Sequence, residues 1–250
     1  MASNYITNVA IAGASSNSAL TRADNQNYVG ALKGQDALII ALSGLAPHGI
    51  DTTLIQAAGD AGVPRISPNE WAPDTANEEL VKDVVVFQSK GKQQHSSDRS
   101  KAIADLGKRS YIAVSTGFWY EWSLAIPSAF GIDSAKRTVT LFDEVDRTVA
   151  GLLSMPIKAE GGNGACPENL KNQVAYADSF AVSQKDMLQS AFRVTRTAEK
   201  DWTITKESAK ESHENGVQEM NQGDRIGFIK MLYTRIFFED GAGNFESKGT

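Results

Sequence analysis

The sequence predicts an α/β fold, in which a parallel sheet flanked by helices is followed by a smaller α+β lobe. Alternation of apolar runs with helical spacing over residues 8–115 is typical of βαβ units, whereas the remainder mixes strands and helices. We therefore expect a first domain over residues 1–130 and a smaller lobe, interleaved with it, over 131–250. The apolar runs that predict the parallel strands are residues 9–12, 37–42, 63–67 and 110–115.

The composition is ordinary for a globular protein and excludes several classes of function. Of the 250 residues, 41% are hydrophobic and 22% are charged, and the net charge is −5. Without a basic stripe, nothing favours binding to nucleic acid or to an anionic membrane. The three histidines are far apart, so no metal site is expected. The single cysteine, Cys166, lies in a Gly/Pro-rich loop, and we interpret it as an exposed thiol without a role.

The N-terminus has neither a basic start nor an apolar core, so a secretion signal is not expected. Apolar runs also stay below the ~18 residues that a membrane-spanning helix needs. These features favour a cytoplasmic location. The oligomeric state is left open.

The first strand, residues 9–12, is interpreted as fully buried and as lying at the centre of the sheet, beside strand 37–42. A turn of small residues follows it, as at the start of a dinucleotide-binding βα unit. A G-x-x-G-x-x-G spacing would place glycine at positions 13, 16 and 19, but the chain has Gly13, Ser16 and Ala19. The glycine fingerprint is therefore incomplete.

Helices and further strands are predicted from apolar spacing and from residues that begin or end helices. The first crossover is expected to be the helix 25–33. Gly62 is expected to end the next helix, and Ser183 to cap the helix 184–194. Residues 77–87 favour a helix, although 84–87 also fit a strand. The other predicted helices are 101–107, 143–153 and 222–238, and the other strands are 137–142, 174–182 and 201–205.

Several short segments, taken in order, resemble the isoflavone-reductase-like, NmrA-like group of atypical short-chain dehydrogenases, especially its fungal members. The resemblance implies a Rossmann domain that binds NADPH and a small C-terminal substrate lobe. It implies hydride transfer to small aromatic or phenolic compounds in some members, and nucleotide sensing without catalysis in others. The segments include Gly13-Ala14-Ser15, Leu20-Thr21-Arg22, Pro68-Asn69-Glu70-Trp71, Phe87-Gln88-Ser89-Lys90 and Val182-Ser183-Gln184-Lys185.

The chain is shorter than that pattern near its first crossover. Members of the family have a full helix and a second strand between the glycine turn and the Leu-Thr-Arg segment. Here only a few residues separate Ser15 from Leu20, too few for a crossover of at least ~10–12 residues. A polar stretch at 93–100 also interrupts what is normally one helix, and a segment between Phe142 and Val145 is missing. We expect the shortened region to weaken pyrophosphate binding.

The candidate cofactor residues come from the residues themselves and from the resemblance. Gly13 would allow a close backbone approach to a phosphate, and polar side chains after it could donate hydrogen bonds. The resemblance assigns Arg22 to the 2′-phosphate of NADPH and places Ser43 along the cofactor. Glu70, beside Trp71, could hold a ribose or shape the pocket, while Trp71 alone also fits core packing. The full predicted set is Gly13, Ser15, Ser16, Asn17, Arg22, Ser43, Asn69 and Glu70.

The resemblance assigns proton transfer to Lys90, with Lys92 as an alternative. For both Lys90 and Arg22, a solvated surface side chain is the competing interpretation. An aromatic cluster could line an apolar substrate site, although such clusters are more often part of a core. Its members are Phe118, Trp119, Tyr120 and Trp122.

Three hypotheses remain. The first is an NADPH-dependent reductase of small aromatic compounds. The second is a nucleotide-binding regulator without turnover. The third is a degenerate member that binds no nucleotide because its phosphate-binding helix is missing.

Overall fold

The computed structural model describes residues 5–13, 25–42, 46–47, 49–87, 102–103, 105–107, 109–118, 123–142, 166–176 and 182–243. The strands are β1 (Val9–Ala12), β2 (Ala37–Ile40), β3 (Arg65–Ser67), β4 (Ser110–Ser115), β5 (Ile132–Asp133), β6 (Thr138–Phe142), β7 (Gln173–Tyr176) and β8 (Thr203–Glu207). The helices are α1 (Asn25–Leu32), α2 (Ile50–Ala61), α3 (Glu78–Asp83), α4 (Pro127–Phe130), α5 (Gln184–Thr195), α6 (Ala209–Asn221) and α7 (Arg225–Thr234), with 3-10 turns at Glu199–Asp201 and Arg235–Phe237.

Five of these strands form a parallel sheet in the order β1-β2-β3-β4-β7, which confirms the predicted α/β fold. Helix α1 joins β1 to its parallel neighbour β2, as predicted for the first crossover. Gly62 ends α2 with a positive φ of 82°, and its N–H donates to the carbonyl groups of Ala58 and Gly59. Local sequence signals thus placed these elements correctly.

The core of this sheet lies on the face covered by α1 and α2. Tyr28 and Leu32 of α1 and Leu54 of α2 are buried there with Leu38 and Ile40 of β2. Ala10 and Ala12 of β1 point to the same face, because alternate residues of a strand share a face. The short alanine side chains let the helices pack closely over the edge of the sheet.

The predictions of a fully buried and central first strand are wrong. In the part of the chain that the structure describes, β1 pairs with β2 alone and forms the edge of the sheet. Val9 is 42% exposed and Ile11 is 55% exposed, because their side chains point away from α1 and α2. An apolar run of four residues has the same appearance at an edge as at the centre of a sheet.

A second, three-stranded sheet in the order β5-β6-β8 supports the predicted α+β lobe. Its core joins α4, α5 and α7 to the sheet and contains Phe130, Val139, Phe142, Phe192 and Trp202. Strand β7 lies in the first sheet, so the back half of the chain contributes to both sheets. Ser183 caps α5 as predicted, in a capping box with Asp186.

Several predicted boundaries and one burial prediction were wrong. The predicted helix 222–238 is interrupted at its start, because Gly223 has a φ of 89° and Asp224 caps a new helix through the N–H of Ile226. Residues 85–87 are helical, so the strand alternative for 84–87 fails. Strand β7 ends at Tyr176, and Val182 is not in a strand. The predicted helix 143–153 lies outside the described residues.

Cys166 is 1% exposed, so its interpretation as an exposed thiol was wrong. The Gly/Pro-rich composition indicated a loop correctly, but composition does not say whether a loop residue points inward. Among the described residues, no helix is long and apolar enough to cross a membrane.

Candidate functional site

The carboxyl edge of the five-stranded sheet is where open α/β folds bind ligands, and three described segments end there. β1 leads into Gly13, β3 leads into residues 68–77, and β4 leads into residues 116–118. The Asn69 side-chain amide donates to the Leu42 carbonyl at 3.1 Å, and the Trp71 indole N–H donates to the Ile40 carbonyl at 2.7 Å. The loop after β3 therefore lies across the end of β2.

Gly13 is required by the backbone of the neighbouring strand. Its φ is 95°, and a β-carbon added there would lie 2.4 Å from the Ala41 carbonyl oxygen. The Ala41 N–H also donates to the Ala12 carbonyl at 2.8 Å, which holds the two strand ends together. Gly13 thus stands at the predicted edge, beside the segment that Asn69 contacts, and chain packing alone accounts for the absence of a side chain.

Glu70 points into its own loop. Glu70 is 2% exposed, and its Oε2 accepts a hydrogen bond from the Thr75 hydroxyl at 2.6 Å. A buried carboxylate with such a partner fixes the shape of the loop. Of the two roles that the sequence left open for Glu70, this placement supports shaping the pocket. Trp71 is half-buried, with its indole anchored on β2.

Asp74 and Tyr176 form a polar pair at this edge that the sequence did not reveal. Asp74 is 2% exposed, and its Oδ2 accepts from the Tyr176 hydroxyl at 3.2 Å. Burial, and then the Asp74 charge, raise the pKa of Tyr176 to about 12. The phenol therefore stays protonated at neutral pH and donates to Asp74. The partners are 102 positions apart in the chain, so no local pattern could pair them.

Phe118 connects the end of β4 to the second core. Its ring stacks on Tyr233 with centroids 3.9 Å apart and an interplanar angle of 19°. The Tyr233 hydroxyl lies 2.8 Å from the Ser123 hydroxyl, and burial raises the pKa of Tyr233. Phe118 itself is half-buried and packs against the core of the smaller lobe. This aromatic contact holds the β4 end beside the smaller lobe.

The structure describes four of the predicted site residues: Gly13 and Asn69, which both contact the 41–42 segment, Glu70 within the loop, and Phe118 against the smaller lobe. The remaining predicted site residues lie outside the described residues, and their roles stay predictions. They are Ser15, Ser16, Asn17, Arg22, Ser43, Lys90, Trp119, Tyr120 and Trp122.

Comparison with known proteins supports the resemblance drawn from the sequence. No family model matches the chain. The chain is 28% identical over 216 residues to a curated protein of Aspergillus flavus named oxidoreductase aprR, a match that covers 86% of this chain and 69% of that protein.

Solved reductases share the fold. An isoflavone reductase matches with a TM-score of 0.61 and 16% identity, over 89% of this chain and 69% of that one. AtPrR2, solved with NADP+ and (+)-pinoresinol, matches with a TM-score of 0.58 and 16% identity, over 89% and 70%. A leucoanthocyanidin reductase of Vitis vinifera, solved with NADPH, matches with a TM-score of 0.55 and 10% identity, over 88% and 69%. The predicted resemblance to isoflavone-reductase-like proteins is confirmed at the level of the fold.

Proposed function

We propose that this chain is an NAD(P)H-dependent oxidoreductase of the isoflavone-reductase-like type that acts on small aromatic or phenolic compounds. The observation that carries the proposal is the carboxyl edge of the parallel sheet, where Gly13 follows β1 and lies directly beside the end of β2. Open α/β sheets bind dinucleotides at that edge. The likeness to a fungal oxidoreductase supports the same assignment.

The described part of the edge fits an anionic cofactor. The two acidic side chains that follow β3, Glu70 and Asp74, are each 2% exposed and accept hydrogen bonds from Thr75 and Tyr176. Their negative charges are thus not exposed at this edge. Under the proposal, Gly13, Ser15, Ser16 and Asn17 contact the pyrophosphate, Arg22 contacts the 2′-phosphate, and Ser43 and Asn69 lie along the cofactor. Glu70 shapes the loop around it.

The proposed chemistry is hydride transfer from the cofactor, with Lys90 supplying the proton to the substrate. A lysine ammonium close to a cofactor can have a lowered pKa and act as an acid at neutral pH. Phe118, Trp119, Tyr120 and Trp122 are proposed to line the substrate pocket, between a first domain of residues 1–130 and a lobe of residues 131–250. The Phe118–Tyr233 stack supports this placement, since it holds the β4 end against the smaller lobe.

The test is consumption of NADPH, followed by its absorbance, with a panel of phenolic substrates. Replacement of Lys90 by alanine (Lys90→Ala) should lower turnover by roughly 10²- to 10⁴-fold, because general acid catalysis is worth about that much, and should leave NADPH affinity unchanged. Lys92→Ala, at the alternative position two residues along, should retain activity if Lys90 supplies the proton. NADPH binding without turnover on any substrate would overturn the reductase and favour the regulator. Equal loss in both variants would overturn the role of Lys90.

A further inference from the structure

A groove of about 680 Å³ lies between α3, α6 and the chain that follows α7, apart from the residues proposed above for cofactor and substrate. Its lining carries four carboxylates, on Glu79, Asp83, Glu214 and Asp240, against two cationic side chains, on Lys210 and Arg235. The excess of negative charge favours a cationic ligand. Charge alone does not define a site, so the geometry of the individual groups decides.

Arg235 is already committed to the protein. Its side chain is 1% exposed, its Nε donates to Asp83 at 2.7 Å, and its NH2 group donates to Asp240 at 2.6 Å. The guanidinium carbon lies 4.5 Å from the centroid of the Phe238 ring. We call this arrangement of Arg235, Asp83, Asp240 and Phe238 the arginine clasp. Because the Arg235 guanidinium is paired with these two carboxylates, it is not available to bind an anion in the groove.

His213 of α6 lines the same groove and is 7% exposed. Its Nδ1 lies 2.8 Å from the Met231 carbonyl oxygen, which can only accept, so Nδ1 carries the proton and the neutral ring keeps a lone pair on Nε2. Among the described residues Nε2 has no hydrogen-bond partner. In the described chain, the side-chain atoms that are both fully buried and unpartnered belong to Arg109 and Ser212. Nε2 of His213 is therefore not fully buried, and it is accessible from the groove that His213 lines.

Two carboxylates that line the same groove also retain acceptor capacity. Asp83 uses Oδ2 for Arg235, and its other oxygen has no partner within the described residues. Glu214, next to His213 on α6, has none among the same residues. Asp83, His213 and Glu214 thus bring three acceptors without a described partner to one groove, which the exposed Lys210 also lines. Val217 supplies an apolar side chain beside them.

We propose that this groove binds a primary alkylammonium group, as found at the ends of polyamines. The ammonium donates its three N–H groups to Nε2 of His213 and to the carboxylates of Asp83 and Glu214. An ammonium has three donors and no acceptor, which matches these three acceptors. The alkyl chain lies along Val217 and Phe238.

Binding of this kind depends on a neutral His213. Burial lowers the pKa of His213, and Arg235 lowers it further, whereas the Met231 carbonyl, Asp83 and Glu214 raise it, with burial the largest effect. Glu79, Lys210 and Asp240 are the other charged groups at the groove. Protonation removes the Nε2 lone pair and adds a positive charge. Amine affinity should therefore be constant near pH 7 and fall only at a pH below the ordinary histidine pKa of about 6.5, whereas a site of carboxylates alone would keep it to lower pH.

The test is calorimetric titration of the full chain with spermidine at fixed ionic strength, without nucleotide. Saturable binding is expected, with Glu214→Gln weakening it by about tenfold, since a charge-assisted hydrogen bond is lost. Glu211→Gln is the matched control, because Glu211 is an exposed carboxylate of α6 outside the groove lining and should leave affinity within about twofold.

Tetramethylammonium has the charge but no N–H donor, so it should not compete. A nitrogen-15 NMR spectrum should also show the His213 Nε2 resonance, assigned by loss in His213→Gln, shift on addition of spermidine. Equal binding of tetramethylammonium, equal effects of the two glutamine variants, or an unshifted Nε2 would each overturn the proposal. Because no nucleotide is present, the outcome is independent of the reductase assignment.

Discussion

The loop after β3 and the groove beside α6 both contain polar groups, but the carboxylates of the loop are paired with other side chains, whereas the groove also holds acceptors without a described partner. In the loop, Glu70 is paired with Thr75 and Asp74 with Tyr176. In the groove, Nε2 of His213 and the Glu214 carboxylate have no partner among the described residues. Paired groups fix the shape of a loop, whereas acceptors without donors leave hydrogen bonds for a ligand to make. The loop is therefore suited to supporting a site, and the groove is suited to binding a ligand.

This contrast predicts which substitutions reduce stability and which reduce binding. The largest loss of stability is expected from Arg235→Met, which leaves Asp83 and Asp240 without their cation. Breaking an ion pair with one buried partner costs about 3 kcal/mol, the lower end of the range for buried pairs, because these carboxylates are 32% and 39% exposed. Urea unfolding of the purified variant measures this loss in the free energy of unfolding.

Lys82→Met is the control for the arginine clasp. Lys82 lies 3.2 Å from Glu79, with the two side chains 71% and 65% exposed, so its loss should cost about 0.5 kcal/mol or less. Similar small losses in both variants would show that the arginine clasp does not stabilise the fold.

A smaller loss is expected from Gly13→Ala at the carboxyl edge. The new β-carbon would collide with the Ala41 carbonyl oxygen, and alanine is strained at a φ of 95°, which together cost about 2 kcal/mol. Gly30→Ala, in α1, is the control, because no described atom lies within 4 Å of the added carbon and alanine favours helix. The midpoint temperature of thermal unfolding should be lower for Gly13→Ala than for the unsubstituted protein. For Gly30→Ala it should be equal to that of the unsubstituted protein or higher. A neutral Gly13→Ala would contradict the close approach of β2.

The sequence predicted local features well because their signals lie within a few residues. Gly62 and the helix cap at Ser183 are examples, and so is the βαβ alternation, which predicted the parallel sheet that the structure confirms. Placement of β1 failed because strand order depends on which other strands are present, and β1 and β2 are equally apolar four-residue strands. Their burial differs because β2 has a neighbour on each side, whereas β1 pairs with β2 alone in the described sheet.

The polar groups of the two regions were not predicted because their partners are distant in the chain. Tyr176 and Asp74 are 102 positions apart, and Arg235 and Asp83 are 152 apart. In the sequence, His213 was considered only as one of three histidines that lie too far apart for a metal site. Its hydrogen bond with the Met231 carbonyl arises from the packing of α6 on α7, which no local pattern shows. Gly13 was predicted at the correct edge, but the Ala41 backbone that requires it was not.

The central claim, that the carboxyl edge still binds a dinucleotide despite the shortened first crossover, is tested most directly by calorimetric titration with NADPH and with NADH. The account predicts saturable binding, tighter for NADPH. Arg22→Ala should weaken the binding of NADPH by about tenfold, because a guanidinium–phosphate contact is lost, and should leave the binding of NADH nearly unchanged. Lys33→Ala, at an exposed cation just after α1, and Glu214→Gln should both leave NADPH affinity unaltered. Absence of heat and of any thermal shift with either nucleotide would contradict the account.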